Sequence, residues 1–118
     1  MDSITRLHVG PRMSQAVVHG ATIYLAGQVA DQAKGKSVSE QTKEILATID
    51  RLLAEAGSDK TKILSTTIYL ADIATFAEMN AVWDAWVAAG HAPARATVEA
   101  KLAQPVYTVE IACIAAAA

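Results

Sequence analysis

Apolar and polar residues change their period several times along the chain, and each change predicts an element. Ile4, Arg6 and His8 alternate with Thr5, Leu7 and Val9, the period of two expected of a strand. Residues 15–19 and 22–28 are rich in Val, Ile, Tyr and Thr and flank His19-Gly20-Ala21, so a hairpin is predicted there. From Ser37 to Gly57 the period lengthens. Val38, Ile45, Ile49, Leu52, Leu53 and Ala56 form one helical stripe, Ser37 and Glu40 have capping-box spacing, and Gly57 suits the left-handed residue past a helix end.

Period-two alternation returns over residues 63–71, with Leu64, Thr66, Ile68 and Leu70 on one face and Ile63, Ser65, Thr67 and Tyr69 on the other. A second helix is predicted from about Thr75, where Thr75 and Glu78 repeat the capping-box spacing. Phe76, Met79, Trp83, Trp86 and Val87 form its stripe, Gly90 ends it, and Pro93 prevents its resumption. Residues 95–100 and 106–115 complete the set as strands, split by Gln104-Pro105. The order β-β-β-α-β-α-β-β predicts an α+β fold, a single mixed β-sheet with two helices on one face. The uncovered face is expected to pack against a copy of the chain.

Composition narrows the class. In 118 residues, 53% are hydrophobic and 19% charged, which excludes intrinsic disorder and fits one domain spanning 1–118. A net charge of −2 gives no electrostatic footprint for nucleic acid or an anionic membrane. The one cysteine, Cys113, excludes an internal disulfide framework and a multi-thiolate zinc site. Met1 to Gly10 lacks a basic stretch followed by an apolar one, and no apolar run is long enough to span a bilayer, so a cytoplasmic location is expected.

Most polar residues have a structural explanation. His8, His19 and His91 lack metal-ligand spacing, and Ser14 is in no nucleophile elbow. Cys113 alternates with Val109 and Ile111 and reads as a small buried hydrophobe, and Trp83 with Trp86 reads as core. Two residues stand apart. Arg95 opens a strand directly after Pro93-Ala94, and Glu110 interrupts the apolar run 106–114 on the face of Thr108 and Ala112. A carboxylate in mid-strand is costly to bury unless it is paired or protonated. One reading is a salt bridge on a solvated sheet face. The other is a catalytic pair. Arg offers a planar fork that grips a carboxylate with two charge-assisted bonds, and Glu can position or deprotonate a water.

The segment Pro93-Ala94-Arg95-Ala96-Thr97-Val98-Glu99-Ala100 resembles the signature of the Rid (YjgF-type) reactive intermediate deaminases. The likeness extends over nearly the whole chain. It includes Gly10-Pro11 with Ser14-Gln15-Ala16-Val17, the stretch from Tyr24 to Val29, Leu53 to Gly57, Thr67 to Leu70 with Asp72, Phe76 to Asn80, and Val109-Glu110-Ile111. The resemblance implies a chorismate-mutase-like fold and a homotrimer with active sites between subunits. It implies hydrolysis of 2-imino acids, or their enamine tautomers, to 2-oxo acids and ammonia, with no metal or cofactor. It assigns carboxylate binding to Arg95 and water positioning to Glu110, and it lines the pocket with Gly27, Thr97 and Asn80.

Two departures remove hydroxyl groups. Arg12-Met13 replace the pocket tyrosine of typical members, and Ala26 replaces the serine before Gly27-Gln28. Met13 is thus the expected apolar wall for the substrate side chain. Two alternatives to the 2-iminobutanoate or 2-iminopropanoate deaminase remain open: a non-enzymatic trimeric binder of small carboxylates such as 2-oxo acids, and a hydrolase of another carboxylated imine. An RNA-acting role finds no basic-aromatic strand pattern to support it.

Overall fold

The computed structural model describes residues 3–118. Met1 and Asp2, part of the segment read for an export signal, lie outside them. The chain runs β1 (Ile4–Val9), β2 (Ser14–His19), β3 (Thr22–Leu25), α1 (Val38–Glu55), β4 (Ile63–Leu70), α2 (Phe76–Trp86), β5 (Ala94–Glu99) and β6 (Val109–Ala116). Short 3₁₀ turns precede β4 and α2. The six strands form one sheet in the order β1-β2-β3-β6-β4-β5. All neighbours are antiparallel except β4 and β5. This is the predicted α+β architecture, and the shortest extent of 21 Å fits a sheet with one helical layer.

The period of two gives the sheet a helix side and a bare side. Val109, Ile111, Cys113 and Ala115 of β6 are buried on the helix side, with Ile68 and Leu70 of β4 and Ile23 of β3. Ile45, Ile49 and Leu53 from α1 and Met79 and Trp83 from α2 complete this core. The opposite face carries Tyr24, Val98 and Ile114, which are exposed. Among the described residues no helix is long and apolar enough to cross a membrane.

Helix α1 begins and ends as its sequence dictates. The Ser37 hydroxyl accepts from the Glu40 N–H at 3.2 Å. At the other end Gly57 adopts φ +84°, Ser58 N–H donates to Leu53 C=O and Gly57 N–H to Ala54 C=O. These two bonds form a Schellman motif, which satisfies carbonyls the helix leaves unpaired.

Two expectations about local structure are corrected. The Thr75–Glu78 capping box does not form. The Thr75 hydroxyl donates to Asp72 C=O, and the Glu78 carboxylate accepts from the Ser39 N–H at 2.9 Å, tying α2 to the start of α1. In β4, a register shift between Ile63 and Ser65 breaks the alternation. Ile63 is buried with Thr66, Ile68 and Leu70, while Leu64 is exposed. A bulge adds one residue to one strand, so every side chain before it changes face. Strand limits also move slightly: β3 ends at Leu25 and β6 starts at Val109.

Glu44 on α1 fixes the loop that leaves β3. Its carboxylate accepts from the backbone N–H groups of Asp31, Gln32 and Ala33 at 2.7, 3.2 and 2.6 Å. Burial acts to raise the Glu44 carboxyl, but these amides and Lys36 outweigh it and hold it below its ordinary value. A depressed carboxyl stabilises the fold above its unfolded pKa and loses that contribution as the pH falls through its folded value. Glu44→Gln should therefore have a lower melting temperature than wild type at pH 7, with the gap closing below about pH 4.5. Burial pushes the Cys113 thiol up to about 11, against a weaker lowering by the Thr66 hydroxyl. Ellman's reagent at pH 8 should leave native protein unlabelled and react with one thiol per chain after denaturation. Ile49, fully buried in the core, should cost about 2–5 kcal/mol on replacement by Ala, read from denaturant unfolding.

Candidate active site

The register of the sheet determines where the two charged candidates lie. Arg95 pairs with Thr66, and Thr66 with Cys113, so these three share a row on the helix-covered face. Glu110 pairs with Tyr69, and Tyr69 with Val98, in a row on the bare face. The rows are three residues apart, and β4 lies between the two strands, so the offset is roughly 10 Å in each direction. A single chain does not bring Arg95 and Glu110 together.

Each residue instead belongs to its own cluster. Arg95 and Thr97 project from edge strand β5 toward α2. The Arg95 guanidinium carbon lies 5.2 Å from the Trp83 ring centroid and 5.8 Å from that of Phe76. Phe76, Asn80 and Trp83 are spaced i, i+4, i+7 and so form one stripe of α2. Among the described residues Arg95 has no ion-pair partner, and its guanidinium makes no hydrogen bond. Among the described residues four buried side-chain oxygens lack a hydrogen-bond partner, and two of them, Asn80 Oδ1 and Thr97 Oγ1, belong to this cluster. Burying a polar atom without a partner is costly, so a ligand able to satisfy it gains affinity.

The second cluster joins Gly27 to Glu110. Gln28 and Ile111 exchange backbone hydrogen bonds at 2.8 and 3.0 Å, which bring the chain after β3 alongside β6. Gly27, the preceding residue, thereby lies against the Glu110 side chain. A Cβ at position 27 would overlap the Glu110 carboxylate and sit 3.0 Å from its Cδ. Only glycine leaves that carboxylate its present place. Gln28 is buried, and its Nε2 donates to Gln15 Oε1 and Ala26 C=O at 2.9 and 3.0 Å, which stiffens the segment around Gly27. Among the described residues Glu110 has no ion-pair partner, so the salt bridge weighed for it does not form within one chain. Met13 lies in the turn before β2, exposed, with its carbonyl bonded to Gly10 N–H at 2.8 Å.

The remaining candidates lie elsewhere. His8 reaches Glu55 at the end of α1 at 2.5 Å, with its backbone in the left-handed region at φ +53°. His91 Nδ1 lies 3.0 Å from Ala89 C=O. Among the described residues no three His, Cys, Asp or Glu side chains group closely enough to hold a metal. The aromatic surround of Arg95 is absent from the residue-by-residue reading, which treats Trp83 as core. The signal available was the stripe of Phe76, Asn80 and Trp83, because a polar amide between two aromatic residues is unusual on a core-facing stripe.

Comparison with known proteins agrees with this fold. The family profile described as Endoribonuclease L-PSP matches residues 4–117. The RutC family protein YoaB of Escherichia coli strain K12 is 46% identical over 114 residues, covering 97% of this chain and 98% of that protein. The 2-iminobutanoate/2-iminopropanoate deaminase of Rattus norvegicus is 35% identical over 107 residues, covering 86% of this chain and 77% of that enzyme. A crystal structure of a YjgF family member from Neisseria meningitidis superposes with a TM-score of 0.95 at 49% identity, covering 98% of this chain and 96% of the other. With the family profile spanning residues 4–117 and the YjgF structure covering 98% of the chain, the chain belongs to the Rid (YjgF) family.

Proposed function

We propose that the protein hydrolyses 2-imino acids, such as 2-iminobutanoate and 2-iminopropanoate, to 2-oxo acids and ammonia at sites formed between the subunits of a homotrimer. The observation that carries this reading is the unpaired Arg95 guanidinium, with two buried, unpartnered oxygens in the same cluster. A small carboxylate with an adjacent N–H group satisfies both. The bare sheet face, with Tyr24, Val98 and Ile114 exposed, supplies the apolar surface for association. In this reading the Glu110 cluster of one subunit meets the Arg95 cluster of its neighbour, because one chain keeps them on opposite faces.

The chemistry needs little from the protein. Arg95 pairs with the substrate carboxylate through two charge-assisted bonds and fixes the imine carbon. Asn80 and Thr97 offer oxygens to the substrate N–H. Glu110 orients a water and takes its proton as the oxygen attacks that carbon. Attack on the protonated imine gives a neutral carbinolamine. Glu110 returns its proton to the nitrogen, the C–N bond breaks to release ammonia, and the hydroxyl proton passes back to Glu110 and on to solvent as the C=O bond forms. The reaction is a hydrolysis with no change of oxidation state, so positioning and one general base suffice.

A second reading, a trimeric binder of 2-oxo acids without turnover, draws on Met13 and Ala26, which stand where typical members of the family carry hydroxyls. The RNA-acting sense of the family description finds no counterpart in a chain of net charge −2.

Imines generated in situ by an amino-acid oxidase, with oxo-acid formation followed, test the assignment. Arg95→Ala should lower kcat/KM by about 100-fold or more through lost binding. Glu110→Gln should lower kcat by about 100-fold or more with KM little changed. Gly27→Ala, which displaces the same carboxylate, should resemble Glu110→Gln. Wild-type turnover by Arg95→Ala would remove the assignment, and pyruvate binding without imine turnover in the wild type would favour the binder. Light scattering should give three times the 12.4 kDa chain mass.

A further inference from the structure

A surface-accessible arginine is commonly held by a nearby carboxylate. Arg95 faces two aromatic rings instead. Its guanidinium carbon lies within about 6 Å of both the Trp83 and Phe76 centroids, the range in which a cation is attracted to an aromatic face. Trp83 is 5% exposed and Phe76 39% exposed, so one ring is fixed in the core and the other borders the open side.

Trp83 is itself braced from behind. Its ring centroid lies 5.3 Å from that of Trp86, with the planes inclined at 52°. Trp86 Nε1 donates to Asp50 Oδ2 on α1 at 2.9 Å. Lys60 Nζ lies 5.1 Å from the Trp86 centroid and donates to the Trp86 carbonyl at 2.6 Å. Contacts therefore run without a gap from α1, through two indoles, to the guanidinium on β5.

We infer that Trp83, with Phe76 as a second ring, is the positioning residue for Arg95, and that the rings replace a carboxylate so that the guanidinium keeps its N–H donors for the ligand. The inference rests on the reading of Arg95 as a carboxylate-binding group. A protein carboxylate would restrain the arginine equally well, but it would occupy the donors a substrate carboxylate needs. An aromatic face attracts the cation through its quadrupole and accepts no N–H bond at the guanidinium edge. Preorganisation also lowers the side-chain entropy lost on binding.

The test uses the intact protein, with pyruvate as a non-reacting carboxylate probe in calorimetry and in-situ imines for kinetics. Trp83→Leu should raise both the pyruvate Kd and the imine KM about tenfold, the size expected of a partly desolvated cation–π contact, with kcat within about twofold. Trp83→Phe should restore most of the affinity. Asp50→Ala, which touches Trp86 and not Arg95, should weaken pyruvate by a smaller factor. The Arg95 side-chain proton resonances should be shifted by ring current in wild type and lose that shift in Trp83→Leu. Should Trp83→Leu fail to fold, Phe76→Leu at its more exposed position should still raise Kd by about two- to threefold. Unchanged pyruvate affinity in Trp83→Leu, or in Phe76→Leu if only that variant folds, overturns the inference when Arg95→Ala has abolished binding. A fall in kcat at constant KM does the same. If Arg95→Ala binds pyruvate like wild type, the carboxylate-binding reading fails first, and the ring-current result still reports separately whether the rings hold the arginine.

Discussion

A pleated strand sends successive side chains to opposite faces, and three hydrogen-bonded strands carry that parity from one to the next. Through β5, β4 and β6 this rule puts Arg95 under the helices and Glu110 on the bare side. No side-chain rotamer can undo it, because moving Glu110 to the other face would turn the buried row of Val109, Ile111 and Cys113 outward. The chemistry proposed for the pair thus depends on a geometric fact about backbones. In the proposed reading each chain holds one half of the site, and the shared site needs a second copy. The same parity leaves Tyr24, Val98 and Ile114 uncovered, so the surface available for association and the glutamate lie on the same side of the sheet.

The two halves are built by different means. Around Glu110 the means is close approach of backbone: the Gln28–Ile111 bridge, the missing Cβ of Gly27 and the Gln28 amide leave a carboxylate seated against a bare peptide. The loop that follows is tied to α1 by the three amide bonds to Glu44. Around Arg95 the means is side-chain packing between an edge strand and a helix, with rings on one side and unpartnered oxygens on the other. The first half is held by backbone bonds, and the second by a buried Trp83 that Trp86 braces, with Phe76 on its open side.

Much of this architecture can be read from residue order. The α1 stripe, its Ser37 start and its Gly57 end obey local rules, and the structure follows them. The exception of Glu110 within an apolar run was legible for the same reason, since alternation alone separates it from Val109 and Ile111. Local rules failed where a distant partner competes. Glu78 satisfies Ser39 of the other helix in preference to its own helix start. Leu64 is turned outward by a bulge set by pairing with β6, which no period within β4 announces. The side of the sheet taken by Arg95 was equally hidden. Arg95, Thr97 and Glu99 look like a solvent face by composition, yet they lie toward α2 because β5 is an edge strand beside the Phe76–Trp83 stripe. Trp83 is core, as its spacing suggests, and the arginine it touches is visible only once β5 and α2 are packed.

The last strand in chain order, β6, lies in the middle of the sheet, bonded to β3 on one side and β4 on the other. Before it arrives, the β1–β3 meander and the β4–β5 pair share no strand contact and are two separate fragments. Synthesis from the amino end must therefore pass through β6 before the sheet can close, and a nascent chain halted ahead of β6 would present two unsealed edges. Completion of the fold and delivery of Glu110 are a single event, so a truncated product would lack the acid as well as the sheet that seats it.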